Sequence, residues 1–449
     1  MPEGWSFERL GNITNIARGG SPRPIEKYLT DNKNGLNWIK IGDTSKDGKY
    51  ISSTKEKISP DGLNKTRFVS KGDFLLTNSM SFGRPYILKI DGCIHDGWLV
   101  IGNIETVFNA DYLYYALSSN FMYQTLSLIA AGSTVKNLKS DSVKSVLFPI
   151  PPMSEQKRIS KKLEIIINFI DNINSEKNVL IDTIQRIKSK ILDLAIRGKL
   201  VPQDPNDEPA SVLLERIRTE KEELIKQGKI KRDKKESVIF KGDDNSYYEK
   251  IGNTTVCIDE ELPFEIPDNW TWSRLQTCCC KDIKRGKSPK YANSGNALVF
   301  AQKCNTKYDG INLNLALFLD ETTIEKYSDT EFMQNNDIVI NSTGNGTLGR
   351  VGVYKEINNT SSTPIVPDSH VTVIRSNNCI MADYLYAFLK SSQRILEKMG
   401  EGSTNQRELK PITLKYMLVP IPPYKEQMLI VDLIKKLNTI IRNVEANLN

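Results

Sequence analysis

The amino-acid sequence predicts an α+β protein of two homologous mixed α/β target modules, each followed by a long helix, the helices pairing as an intramolecular antiparallel coiled coil. Three observations carry this. A series of short motifs occurs twice in the same order. Each copy reads as short strands and turns with one helix near its end. Each copy then runs into a helix with heptad-spaced apolar residues. The expected division is 1–152 for the first module, 153–198 for its helix, 199–265 for a connector with a short helix and a basic linker, 266–423 for the second module and 424–449 for a shorter second helix.

The repeats come first along the chain. Trp5-Ser6-Phe7-Glu8-Arg9-Leu10 returns as Trp270-Thr271-Trp272-Ser273-Arg274-Leu275, and Arg18-Gly19-Gly20-Ser21-Pro22 as Arg285-Gly286-Lys287-Ser288-Pro289. Ala110-Asp111-Tyr112-Leu113-Tyr114 returns as Ala382-Asp383-Tyr384-Leu385-Tyr386, and Gly132-Ser133-Thr134 as Gly402-Ser403-Thr404. Pro149-Ile150-Pro151-Pro152 with Glu155-Gln156 returns as Pro420-Ile421-Pro422-Pro423 with Glu426-Gln427. Between these anchors the copies diverge, as in Asp43–Lys57 against Lys303–Leu317. A shared frame with different inserts suits two copies that read two different things.

Within each module, apolar runs such as Phe74-Leu75-Leu76, Ile338-Val339-Ile340 and His370–Ile374 are bounded by Gly, Asn, Asp and Pro and predict short, mostly antiparallel strands. Asp111–Ser119 and Asp383–Ser391 predict short helices. After Pro152 the period changes. Ser154 is the expected N-cap, and Ile159, Leu163, Ile166, Ile170, Ile173, Leu180, Ile184, Ile187, Ile191 and Leu194 follow in alternating steps of four and three, with Lys177 the one polar interruption. Ending at Arg197-Gly198, this helix would be ~60 Å long. Ile430, Ile434, Leu437, Ile441 and Val444 repeat the seam in the same register up to Asn449. The two seams bury each other in the simplest arrangement; a wider helical bundle is the competing reading.

The connector holds three prolines in Val201–Pro209, then an amphipathic stretch Val212–Gln227 and a basic run with Lys229, Lys231, Arg232, Lys234 and Lys235. A solvated linker face is the ordinary reading of that run, and phosphate contact the alternative.

Composition bounds the function. Lys+Arg 61 against Asp+Glu 54 leaves a net charge of +7, which permits a polyanion partner without requiring one. No run approaches the ~20 apolar residues of a membrane span, and the start lacks the pattern of a secretory signal, so the expected location is the cytoplasm. The seven cysteines contain no Cys-x-x-Cys; adjacent Cys278, Cys279 and Cys280 would point to opposite faces of a strand, and small buried side chains explain them better than a metal. No metal site is expected.

Catalytic motifs are approached and missed. Gly344-Asn345-Gly346-Thr347-Leu348-Gly349 has dinucleotide-loop spacing, yet Arg350–Tyr354 continues as strand where a helix N-terminus would have to face a pyrophosphate. A P-loop would need Lys and Ser or Thr where Arg350 and Val351 stand. Ile421-Pro422-Pro423-Tyr424 lacks the polar first residue that amino-methyltransferases use, and Ile150-Pro151-Pro152-Met153 fails likewise. With two histidines and no nucleophile–base pair in view, no catalytic residue is assigned.

Taken together, the chain resembles the specificity subunits of type I restriction–modification systems. The resemblance covers essentially its whole length. Its most specific stretch is Ala195–Ser211, similar to that family's central connector; the Pro-Ile-Pro-Pro-x-x-Glu-Gln motif and the opening Pro267-Asp268-Asn269-Trp270 also match. The resemblance implies that each module reads one half of a bipartite, asymmetric double-stranded DNA site, and that the coiled coil sets the spacer. It implies two methyltransferase (M) subunits and motor–nuclease (R) subunits as partners. S-adenosylmethionine, ATP and Mg²⁺ would sit on those partners, with no cofactor, small-molecule substrate or membrane for this chain. The early end of the second helix departs from the family pattern.

On that reading the DNA contacts belong to cationic and amide side chains on loops. In the first module these are Arg18, Ser21, Arg23, Asn78, Ser81, Arg84 and Lys136; in the second, Arg285, Lys287, Lys290, Asn341, Asn345, Arg350, Asn405, Gln406 and Arg407. Turn chemistry competes at each position, and a structural role competes at His95 and His370. Three other classes stay open: an enzyme in its own right, a coiled-coil scaffold for proteins alone, and a stand-alone DNA-binding protein.

Overall fold

The computed structural model describes residues 2–448 except 46–47, 80–81, 131–136, 229–236, 308–309, 360–361 and 403–406. These fall into two units that divide between Glu176 and Lys177.

In the first unit a five-stranded sheet runs in the order Asn15–Arg18, Trp98–Gly102, Phe74–Thr77, Pro85–Leu88, Tyr50–Ile51. A four-stranded sheet runs Glu56–Ile58, Leu36–Ile39, Gly92–Ile94, Arg67–Val69. The run Phe74-Leu75-Leu76 is wholly buried because the central strand is covered on both faces. Its side chains alternate. Phe74 and Leu76 join a core with helices α1 (Ala110–Ser118) and α2 (Asn120–Ile129), while Leu75 joins Ile39, Ile94 and Trp98 of the other core. Most pairings are antiparallel; Leu36–Ile39 with Gly92–Ile94 and Tyr50–Ile51 with Pro85–Leu88 are parallel.

The chain ends of this module meet: Ser6–Arg9 pairs antiparallel with Leu147–Ile150, Phe7 opposite Pro149. The long helix α3 (Met153–Ile196) follows at once. The repeated Gln explains its own recurrence. Buried Gln156 accepts from the Asn109 N–H at the start of α1 (2.8 Å) and donates to the carbonyls of Val107 and Pro151 (both 2.9 Å), locking helix to module.

The second unit repeats the frame. Thr271–Arg274 pairs with Leu418–Ile421, Trp272 opposite Pro420, in the register of the first module. One sheet runs Lys284–Arg285, Val371–Ile374, Ile338–Asn341, Val351–Val353, and the other Tyr291–Ala292, Leu317–Leu319, Leu298–Phe300, Ile365–Pro367. Ahead of the module, α4 (Ala210–Lys226) packs Leu213, Leu214 and Ile217 into its core beside Cys278 and Cys279. Then comes α5 (Ala382–Ser391), and after the closing strand α6 (Tyr424–Ala446). Gln427 repeats the clamp, accepting from the Met381 N–H (2.9 Å) and donating to the Pro422 carbonyl (3.0 Å). The tyrosines of the Ala-Asp-Tyr motif do the same job twice: Tyr112 donates to the Pro149 carbonyl and Tyr384 to that of Pro420.

Two features differ from expectation. The connector is not a plain linker: after the basic run, which lies outside the described residues, Ser237–Lys241, Tyr247–Ile251 and Thr254–Cys257 form a three-stranded antiparallel sheet packed against Trp272. The seam pairs over part of its length. Antiparallel packing brings Ile184, Ile191 and Ala195 together with Ile430, Ile434 and Ile441, with Leu194 and Leu437 half-buried and Lys188 bonded to Glu445 at 2.7 Å. Leu448 closes against this cluster. Ile159 and Leu163 are half-buried at the first module, whereas Ile166, Ile170, Ile173 and Leu180 are exposed, Ile170 by 49%. Ile187 and Val444 are also exposed.

Candidate nucleic-acid interface

In each module the Arg-Gly loop leaves its edge strand and crosses a neighbouring turn at very short range. A Cβ on Gly19 would lie 2.2 Å from the His95 carbonyl oxygen, and one on Gly286 2.0 Å from that of Pro367. Only glycine allows this approach, which is the reason for the repeated Arg-Gly pair.

In the first module that crossing gathers the candidate groups around one carboxylate, Asp96. Arg18 donates through Nε to the Asp96 carbonyl (3.0 Å) and Asn78 through Nδ2 to the same oxygen (2.7 Å). Ser21 donates to Asp96 Oδ1 (2.9 Å), and Arg23 lies 3.4 Å from Oδ2 with its side chain 81% exposed. His95 Nδ1 stands 3.5 Å from Oδ1. Burial pushes the Asp96 carboxyl up, but the Ser21 hydroxyl and the His95 ring outweigh it and hold the group below the usual carboxylate range. Burial in turn lowers His95, against the pull of Asp96. Main-chain N–H groups point at both ring nitrogens, that of Gly97 at Nδ1 (2.8 Å) and that of Ile41 at Nε2 (3.1 Å).

The second module carries a basic recess lined by Lys281, Lys284, Arg285, Lys287, Tyr327 and Glu331. Lys287 meets Glu331 at 2.8 Å, with its ammonium 5.2 Å from the centre of the Tyr327 ring, and Lys284 approaches Glu331 at 3.5 Å. Burial would raise the Glu331 carboxyl, yet the Lys287 ammonium and the Ser328 N–H bring it down to about 2. Arg285 pairs with Glu408, and Lys290 with Asp320 at 2.7 Å.

The remaining candidates divide. Asn78 and Asn341 are 1% and 0% exposed, so neither stands on a loop surface; at the ends of central strands, Asn78 donates to the Asp96 carbonyl, and Asn341 donates to the Gln302 carbonyl and accepts from the Asn305 amide. Arg350 donates to the Asn305 and Gly346 carbonyls and Arg407 to those of Lys398 and Gly400, so both brace loops. The Gly344–Gly349 loop runs on into the strand Val351–Val353, and Asn345 is exposed at its tip. Arg84 follows the loop at Thr77 and is half-buried. Ser81, Lys136, Asn405 and Gln406 lie outside the described residues. Sequence reasoning missed Asp96, Lys281, Lys284 and Glu331. The signal for Asp96 was its place beside His95; Glu331 gave none, because its partners are more than forty residues away.

Among the described residues no group of three or more His, Cys, Asp or Glu side chains is placed to hold a metal ion, and no helix is long and apolar enough to cross a membrane.

The fold and these loops define a class: a protein with two like modules whose closing strand pairs share one register and whose loops carry different polar and cationic sets. The chain belongs to the type I restriction–modification DNA specificity domain family, whose model matches it twice, over residues 2–182 and 267–449. It is 31% identical over 254 residues to the specificity subunit of the type I restriction enzyme EcoAI of Escherichia coli, covering 54% of this chain and 38% of that protein. It is 21% identical over 229 residues to the EcoKI specificity subunit of E. coli K12, covering 49% and 48%. The matches thus span under half the length of these relatives. The HsdS subunit of Thermoanaerobacter tengcongensis has the same fold, with a TM-score of 0.57 at 16% identity over all of this chain and 93% of that one. So does a chain from a structure of complex assembly and conformational transition in a type I R-M system, with a TM-score of 0.65 at 16% identity and the same coverage.

Proposed function

We propose that this chain is the DNA-reading, non-catalytic subunit of a type I restriction–modification complex. Each module reads one half of a bipartite, asymmetric site in double-stranded DNA, and the helix pair sets the spacer between the halves and docks two methyltransferase subunits. Motor–nuclease subunits complete the assembly, and S-adenosylmethionine, ATP and Mg²⁺ serve those partners. The observation that carries the reading is the agreement of the two frames, Phe7 opposite Pro149 and Trp272 opposite Pro420, around loops that differ. A common frame presents each loop set to the same kind of ligand, and different loops read different bases. Arg18 and Arg23 in the first module, and Lys284, Lys287, Lys290 and Asn345 in the second, are exposed side chains offered for that contact.

The test is to co-express the chain with the methyltransferase subunit encoded beside it and to map modified adenines by long-read sequencing. A split motif that disappears without this chain, and of which one half changes when one module is exchanged, is the expected result. A motif indifferent to that exchange overturns the reading.

A further inference from the structure

The two modules share a frame, but one face of it is covered only in the second. There the connector and the three-stranded sheet Ser237–Cys257 lie against the strand pair Thr271–Arg274 and Leu418–Ile421. Trp272 is fully buried beneath Ile239, Tyr247 and Phe264. The Trp270 indole N–H donates to Glu426 (2.8 Å), which Gln203 of the connector holds from its other oxygen (2.5 Å). Arg274 donates to the Tyr416 carbonyl (2.7 Å) and spends its other nitrogens on Glu249 and Glu261 at 2.5 and 3.0 Å.

Position by position, the first module carries the same receptors without the occupant. Phe7 stands where Trp272 does and is 52% exposed; Leu147 stands where Leu418 does and is 54% exposed. The Trp5 indole nitrogen is buried and has no hydrogen-bond partner, and no bond reaches the side chain of Glu155, the counterpart of Glu426, among the described residues. Arg9 keeps the equivalent main-chain bond, to the Ser145 carbonyl (2.5 Å), and the neighbouring Glu8 takes its main-chain N–H, but among the described residues no carboxylate is bonded to its guanidinium as Glu249 and Glu261 are to that of Arg274. Two apolar side chains, an unanswered indole N–H and an arginine whose guanidinium holds only a main-chain carbonyl among the described residues are together in one place.

The geometry points to this face of the first module as a docking site for a polypeptide element of the same build as residues 197–209 with Ser237–Glu261. Such an element offers an apolar β surface, carboxylates for Arg9 and a connector that turns Glu155 towards Trp5. A second copy of this chain is a poorer occupant, because its own element is already seated on its own second module. The inference stands apart from DNA reading and needs no statement about bases.

The element can be supplied in register. Pro2-Glu3-Gly4-Trp5 aligns with Pro267-Asp268-Asn269-Trp270, so residues 194–266 grafted ahead of Pro2 in the full chain reach the first module as they reach the second. Hydrogen exchange followed by mass spectrometry should show slowed exchange in Ser6–Arg9 and in the grafted copy, together with a raised Tm. Arg9→Glu or Phe7→Asp should remove both gains while barely changing the ungrafted chain. The resident copy on the second module is the internal control that this sequence folds. A graft that exchanges freely while the resident copy is protected overturns the inference. Sedimentation showing that the ungrafted chain dimerises, with the dimer lost in Phe7→Asp, overturns it in favour of a second copy.

Discussion

Asp96 links Ser21 and Arg23 and so controls both the shape and the charge of the first module's loop. Asp96→Asn keeps the shape and deletes the charge. Non-specific DNA affinity of the assembled complex should rise at low salt, and the ratio of specific to non-specific affinity should fall, as fluorescence anisotropy across a salt series would read. Glu331 makes a prediction in pH. Its pKa in the folded protein, about 2, lies below its ordinary 4.5. The stability it contributes is therefore complete above the ordinary value and is lost as pH falls from 4.5 towards 2. Glu331→Gln should flatten the dependence of Tm on pH in that window and leave a protein less stable at neutral pH. At this scale the sequence was only partly legible. Arginines flanked by glycine and proline announced loops. Asn78 and Asn341 announced loops as well but fold inward, because a side-chain amide at a strand end can satisfy main-chain oxygens that the ladder leaves over.

Elements were easier to read where one period persists. The heptad spacing located α3 and α6 almost to the residue, since a continuous stripe leaves few alternatives. It did not say which seam positions find a partner, because pairing depends on where α6 ends. Ile430→Ala should cost roughly 2–5 kcal/mol in denaturant unfolding, whereas Ile170→Ala, at an exposed seam position, should stay within about 0.5 kcal/mol. Equal losses at both positions would mean that the exposed stretch is covered in solution. The three-stranded sheet escaped notice for a different reason. Its strands are short and follow a run of charge, and their alternation shows only once the turns at Asn245 (φ 67°) and Gly252 (φ 60°) are recognised.

For the whole molecule, the recurrence of the motifs in one order was the most informative signal, since two copies of one frame must repeat whatever closes that frame. Gln156 and Gln427 are that closure. Gln427→Leu would leave the Met381 N–H and the Pro422 carbonyl without partners, at a cost of roughly 1–3 kcal/mol, and thermal unfolding should show it as a lowered Tm. The bonds made by the two glutamines stay within one frame: each glutamine ties the start of Ala110–Ser118 or Ala382–Ser391 to the helix that follows the module, and also holds the proline carbonyl just ahead of that helix. This has a consequence for heredity. A genetic crossover between two such genes at the stretch encoding Pro149–Gln156 trades one module for another and rebuilds the same clamp from either parent. New pairings of modules can therefore arise by recombination alone, with no compensating mutation at the joint.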